Sequence, residues 1–186
     1  MEIYIPAEDS LFLVEELKKY KGKNALEIGC GSGIVLEILL ENFSLVVGTD
    51  IDMNIFKYIK EKLHENEFEN NIPLKRERFL ICCDSVSAIT NLKFDLIVSN
   101  PPYLPDDKDI KDATIYGGRK GLETPLKFIN ESMRLINTHG KILVIISSLV
   151  SIDDFESQLL KYGIKFKIAK IKNLFFEKLF LYEIEK

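Results

Sequence analysis

The chain has little of what several classes of protein need. It holds only two histidines, His64 and His139, far apart and with no serine or cysteine nucleophile motif beside either, so they read as surface or loop residues. Its three cysteines, Cys30, Cys82 and Cys83, leave an odd count and lack zinc-site spacing. They read as small buried residues of a reducing compartment, and no metal site is expected. No apolar run approaches the roughly 18 residues a membrane span requires, and acids stand near the amino terminus where a signal peptide would carry lysines. A soluble, cytoplasmic protein is expected. A basic excess is missing too: the formal charge is -4, which argues against a broad nucleic-acid-binding face. The lysine group Lys165, Lys167, Lys170 and Lys172 reads as the solvated side of a strand.

What is present suffices for one sizeable core. The chain has 186 residues and is 46% hydrophobic, and with no repeat or linker it is expected to form a single domain over residues 1–186. Pro6 is placed to open a helix whose first turn carries Glu8 and Asp9, acids that favour the positive end of the helix dipole. Strands are expected over 24–28, 45–49, 79–83, 94–98 and 141–146, with helices over 34–41, 55–64, 124–136 and 152–162. Alternating strands and helices imply a parallel sheet. Residues 65–78 are polar and contain Asn70-Asn71-Ile72-Pro73, so they read as a long exposed connection. Gly140 is expected to end the helical region before it. The alternating tail, Ile164, Phe166 and Ile168, then Phe180, Tyr182 and Ile184, predicts a terminal pair of strands.

Two strand ends carry the chemistry. The first strand runs into Glu27-Ile28-Gly29-Cys30-Gly31-Ser32-Gly33 and a helix follows almost at once, an arrangement typical of nucleotide-type cradles. Asp50 ends the next strand, near where ribose-binding acids fall in dinucleotide folds. Asp84 and Ser85 follow the third strand; Asp84 can accept from an adenine amino group or cap the turn that Ser85 continues. The fourth strand emerges into Ser99-Asn100-Pro101-Pro102-Tyr103. Two prolines cannot continue a ladder, and Pro101 biases Asn100 toward extended backbone. The Asn100 amide, the backbone carbonyls and the Tyr103 ring are thus held in a stiff turn, where open α/β sheets bind ligands. A long loop follows, with Asp106, Asp107, Asp109, Asp112 and Gly117-Gly118-Arg119-Lys120-Gly121; loops of this length in compact domains tend to be functional.

Gly-x-Gly-x-Gly in place of the dinucleotide glycine pattern, with Asn-Pro-Pro-Tyr on the fourth strand, resembles the S-adenosylmethionine-dependent class I methyltransferases. More narrowly, the chain resembles the HemK/PrmC-type glutamine N5-methyltransferases over essentially its whole length. Pro6-Ala7-Glu8-Asp9-Ser10 is similar to the short archaeal and eukaryotic branch that modifies class I release factors. That resemblance implies a Rossmann-like fold with seven strands, mostly parallel with an antiparallel last strand, and helices on both faces. It implies S-adenosyl-L-methionine as cofactor, held by Ser10, Glu27, Gly29, Cys30, Gly31, Ser32, Gly33, Asp50, Asp84, Ser85 and Asn100. Asn100, Pro101, Pro102 and Tyr103 are the expected catalytic turn. One departure is Gly121-Leu122-Glu123, where many members of the short branch carry arginine after the glycine; a substrate contact by such an arginine is either missing here or made by Arg119.

The expected acceptor is the side-chain amide of a glutamine in the Gly-Gly-Gln motif of a class I release factor. The same turn can serve an adenine or guanine amino group in RNA or DNA, or a protein lysine, and a noncatalytic cofactor-binding subunit is a further alternative. The resemblance also implies a small zinc-binding activator protein. Residues 79–83, an apolar strand at the sheet edge in the strand order the family implies, are its expected contact.

Overall fold

The computed structural model describes residues 7–70, 77–107, 112 and 114–186, and for 63–70 the backbone only. The features expected at Pro6, Asn71, Ile72, Pro73 and Asp109, and the His64 side chain, lie outside the described residues.

The apolar runs form one seven-stranded sheet: β1 (Gly22–Ile28), β2 (Phe43–Asp50), β3 (Glu77–Cys82), β4 (Phe94–Ser99), β5 (Ile136–Ser147), β6 (Lys165–Asn173) and β7 (Lys178–Glu185). The order is β3-β2-β1-β4-β5-β7-β6. β1 lies parallel to β2 and β4, β2 to β3, and β4 to β5, whereas β7 is antiparallel to both its neighbours. Only a short connection joins β6 to β7, and a connection that short permits only antiparallel pairing.

Period-two alternation divides the strand runs between two cores. Ala25, Leu96, Val98, Leu143 and Ile145 face one side, with α1 (Glu8–Leu17), α2 (Ile34–Asn42) and α3 (Met53–Asn70) packed over them through Leu13, Leu36 and Ile59. Leu26, Ile28, Ile97, Ile142 and Val144 face the other, under Ile129 of α4 (Glu123–Ser132) and Phe155 of α5 (Ile152–Lys161). Because β2 follows β1 outward one way and β4 lies on its other side, the strand order reverses between β1 and β4. A crevice opens there at the carboxyl ends, as in open α/β sheets generally.

Three expectations are corrected. The polar stretch from Glu65 is not a connection as far as Asn70, because α3 continues to that residue; residues 65–70 hold no glycine or proline to interrupt a helix, and three of the six are Glu. Gly140 does not end a helix. α4 stops at Ser132, and Gly140 lies inside β5, where the register against β4 shifts between Phe94 and Leu96. A Cβ built on Gly140 would stand 2.7 Å from the Phe94 carbonyl oxygen, so a bulge and a close approach explain the residue. Finally, Cys30 is buried but Cys83 is half-buried and Cys82 exposed, since β3 is an edge strand with one side uncovered.

At the amino end of the sheet a buried carboxylate ties β7 to its neighbours. Glu183 accepts from Lys141 Nζ at 2.6 Å, Lys167 Nζ at 2.9 Å and the Tyr20 hydroxyl at 2.9 Å. Burial would raise the Glu183 carboxyl, but these donors outweigh it and hold it at about 2. A folded-state value below the unfolded one contributes stability that is present above the unfolded value of about 4.3 and is lost as pH falls toward 2. Urea midpoints at pH 6 and pH 3 should therefore differ more in the wild type than in Glu183→Gln. Equal pH dependence in the two proteins would contradict this assignment.

Candidate active site

β1 ends at Ile28, and Gly29, Gly31 and Gly33 all take positive φ before α2 begins at Ile34. The turn is not an empty anion cradle. The N–H groups of Gly29 and Cys30 both donate to the Thr49 carbonyl at 2.8 and 3.1 Å, Gly33 N–H donates to Cys30 O at 2.8 Å, and Gly31 N–H donates to Asp50 Oδ2 at 3.2 Å. Glu27 occupies the amino end of α2, accepting from the Leu36 N–H, and its other oxygen, Oε2, is buried with no partner. Burial above all, then Asp50 and Glu37 nearby, push the Glu27 carboxyl well up. A phosphate at this helix terminus would meet a carboxylate, whereas a cationic group would find an acceptor waiting. The Cys30 thiol, pushed up by burial, donates to the Thr49 carbonyl at 3.2 Å and is a packed side chain.

Asp50 stands half-buried at the end of β2, and besides Gly31 its carboxylate accepts from Asp52 N–H at 3.0 Å. Asp84 lies beyond β3 and is ion-paired with Lys127 of α4; its side chain is not the turn cap. Ser85 takes φ 53 and buries an unpartnered hydroxyl. These residues line one cleft of ≈ 370 Å³ together with the turn after β4.

In that turn Ser99 Oγ donates to the Ile28 carbonyl at 2.9 Å, fixing β4 to β1 at the crevice. Asn100 Nδ2 donates to Ser10 Oγ at 3.3 Å, and Tyr103 OH donates to Asp9 Oδ2 at 3.1 Å. Asn100 Oδ1 is buried without a partner. The first turn of α1 thus grips both ends of the Asn-Pro-Pro-Tyr segment. All the expected residues, from Ser10 to Tyr103, line this cleft except Gly33, which caps α2 beneath it. Sequence reasoning gave Asp9 only a place at the positive end of the helix dipole and gave Lys127 no role. For Asp9 a signal existed: it continues the buried stripe of Leu13 and Leu17 at four-residue spacing, where an acid needs a partner. Lys127, on a half-exposed helix face, offers no such signal.

Residues 114–121 fold back over the turn. Leu104 N–H donates to Ile115 O at 2.9 Å and Gly117 N–H to Leu104 O at 2.8 Å. Added Cβ atoms would stand 2.3 Å from Pro102 O at Gly117 and 2.2 Å from Tyr103 O at Gly121. The glycine group is therefore explained by close approach of two backbones. Gly117→Ala is expected to cost about 1–3 kcal/mol of stability, read as a lowered Tm; an unchanged Tm would mean that the loop does not press on the turn.

Among the described residues no group of three or more His, Cys, Asp and Glu is placed to hold a metal, and no helix is long and apolar enough to cross a membrane.

Comparison with known proteins agrees with this geometry. The model of the methyltransferase small domain family matches residues 8–170. A protein of Methanocaldococcus jannaschii, named provisionally as a protein N5-glutamine methyltransferase, is 32% identical over 96% of this chain and 89% of its own length. The release factor glutamine methyltransferase of Clostridium botulinum is 27% identical over 75% of this chain, which spans 54% of that relative. Among solved structures, the E. cuniculi Mtq2-Trm112 complex, responsible for methylation of the eRF1 translation termination factor, matches the whole chain and 99% of its counterpart with a TM-score of 0.76 at 24% identity. With its seven strands in this order and a family match over most of its length, the chain belongs to the methyltransferase small domain family and is a methyltransferase.

Proposed function

We propose that the protein transfers a methyl group from S-adenosyl-L-methionine to the side-chain amide nitrogen of glutamine, in the Gly-Gly-Gln motif of a class I peptide-chain release factor. The observation that carries the reading is the Asn100 amide, clamped by Ser10 in the proline turn with its oxygen unpaired, on the wall of the cleft that also buries the unpaired Glu27 oxygen. The Glu27 oxygen fits a cationic cofactor, and Gly29, where an added Cβ meets nothing within 4 Å, leaves the room. Ser10, Cys30, Gly31, Ser32, Asp84 and Ser85 complete the cofactor's surroundings, with Gly33 shaping the turn beneath them, and Asp50 takes the ribose hydroxyls.

When bound, the cofactor supplies an electrophilic methyl group on a sulfonium. An amide nitrogen is a poor nucleophile because its electron pair is delocalised, so the chain's task is alignment and localisation of that pair. The Asn100 oxygen, once turned from its present shielded position, and the Pro101 carbonyl would accept the two amide N–H bonds, and one of these protons would leave to solvent when the nitrogen gains the methyl group. Tyr103 packs on the amide plane, its hydroxyl held by Asp9. Pro101 and Pro102 keep these acceptors in place before the substrate arrives, so little reorganisation is required during transfer.

The family names of the relatives and the Mtq2-Trm112 architecture support the substrate and a small activator partner for this chain. β3 offers a free edge in the described sheet, with Phe79 54% exposed and Ile51 and Met53 exposed beside it; strand addition by a partner would pair that edge. The chain acts in the cytoplasm as a single domain and takes part of its substrate recognition from that partner.

The test is incubation of the chain, with and without the activator, with labelled cofactor and a release-factor domain, followed by peptide mapping. Label on the Gly-Gly-Gln glutamine supports the proposal. Label that survives protease and disappears with nuclease would replace it with the base-methylating reading, and label on lysine would replace the acceptor.

A further inference from the structure

The hairpin between β6 and β7 ends in two phenylalanines that the fold does not use. Leu174 N–H donates to Glu177 O at 2.8 Å and closes the hairpin, leaving Phe175 92% exposed and Phe176 88% exposed at its tip. The rings pack edge to face, 4.6 Å between centroids. Hairpin tips favour glycine, asparagine and aspartate for their backbone freedom; two phenylalanines serve neither that geometry nor the core.

The tip lies at the carboxyl end of the sheet, the end that holds the cleft, since Leu179 at the start of β7 pairs with Ser147 at the end of β5. Its two legs are tied to the two elements that frame the acceptor turn. On one side Lys178 N–H donates to Ser148 Oγ at 2.8 Å and Ser148 N–H to Lys178 O at 2.8 Å. From Ser148 the chain passes Leu149, 51% exposed, to Val150, which lies beside Gly121, as the Tyr103 carbonyl also does. On the other side Lys172 Nζ donates to Glu8 O at 3.4 Å, at the start of the helix that grips Asn100 and Tyr103, and Leu174 packs with Tyr103 on the same core. The exposed Leu149 therefore lies on the segment that joins the neighbourhood of the acceptor turn to the leg of the hairpin.

Resting on the function proposed above, we propose that Phe175 and Phe176 are a docking point for the protein substrate, gripping an apolar surface beside the loop that carries the acceptor glutamine. Aromatic side chains on a rigid support are the usual anchors of protein interfaces. The chain's formal charge of -4 favours a protein over a nucleic acid. Of the β6 lysines, Lys167 is paired with Glu183 and Glu185 and Lys170 with Glu16, while Lys172 donates to the Glu8 carbonyl. In this edge-to-face pair the edge of one ring covers a face of the other, so the two rings do not offer parallel faces on which successive bases could stack.

Methyl transfer by the full chain, with the activator present, is measured on a folded release-factor domain and on a short Gly-Gly-Gln peptide. Phe175→Ala/Phe176→Ala should raise KM for the domain by about 10-fold or more, with kcat within about two-fold and the peptide unaffected, because a docking contact contributes equally to ground and transition states. Phe175→Leu/Phe176→Leu should recover most of the loss. An unchanged KM for the domain overturns the proposal, as does loss of activator binding by the alanine variant, which would assign the pair to the activator. If the wild type leaves the release factor unmethylated, the glutamine reading fails and the same comparison is made on whichever fraction of a cell extract it labels. A nuclease-sensitive acceptor, or no acceptor, overturns the docking proposal too; a protein acceptor upholds it only if the variant raises that acceptor's KM.

Discussion

Asn100→Ala is expected to lower methyl transfer to the release-factor domain by about 10²-fold or more, the loss typical of an electrostatic contact made at the reacting centre, with a much smaller effect on cofactor affinity. The turn is fixed without the Asn100 side chain: Pro101 and Pro102 restrict it, Ser99 ties it to β1, and Gly117 and Gly121 let a second backbone lie against it. Truncation therefore removes the amide while leaving the cleft. The bond that is lost, to Ser10 at 3.3 Å, is long for a hydrogen bond, so the ground state gives up little. What disappears is an oxygen that engages the acceptor as its nitrogen becomes tetrahedral, and such a loss falls on kcat more than on KM. Turnover near wild type would remove Asn100 from the reaction. Loss of cofactor binding equal to the loss of turnover would make it a cofactor contact instead.

The same turn shows what a sequence can and cannot reveal. Strand ends at Ile28, Asp50 and Ser99 were legible because apolar runs stop at glycine, acid or proline, and each stop has a local physical cause. The parallel sheet followed from alternation of strand and helix, although its order and the reversed β7 came from resemblance. Less was legible where tertiary contact decides. α3 runs through polar residues to Asn70, and the register shift near Gly140 exists only because Phe94 approaches it. In the site, Asn100 and Tyr103 were visible as chemistry, but their support was not. The hydrogen bond from Tyr103 to Asp9 spans 94 positions, and the ion pair from Lys127 to Asp84 joins residues with no shared pattern. The glycines at 117 and 121 announced a special backbone without saying that its neighbour would be the proline turn.

Asp50→Ala is expected to weaken S-adenosyl-L-methionine binding by about 10- to 100-fold, corresponding to roughly 1.5–3 kcal/mol for loss of a charge-assisted acceptor. Asp50 ends β2 in the crevice beside the glycine turn, with one carboxylate oxygen facing Gly31 N–H at 3.2 Å and the other Asp52 N–H at 3.0 Å. Each oxygen has a further lone-pair direction, so the carboxylate can hold its backbone partners and still accept two ribose hydroxyls. Removing it therefore acts twice: the hydroxyls lose their acceptors, and the Gly31 N–H that helps shape the turn is released. Asp50→Asn separates the two effects, since its amide oxygen can still accept one backbone N–H but carries no charge for the hydroxyls. Calorimetric titration of both variants, with Tm as the check on folding, should place Asn between wild type and Ala in affinity, with Tm near wild type for Asn. Equal affinity in all three folded proteins would remove Asp50 from the cofactor site. An affinity loss confined to Ala and matched by a lowered Tm would make its role the shaping of the glycine turn alone.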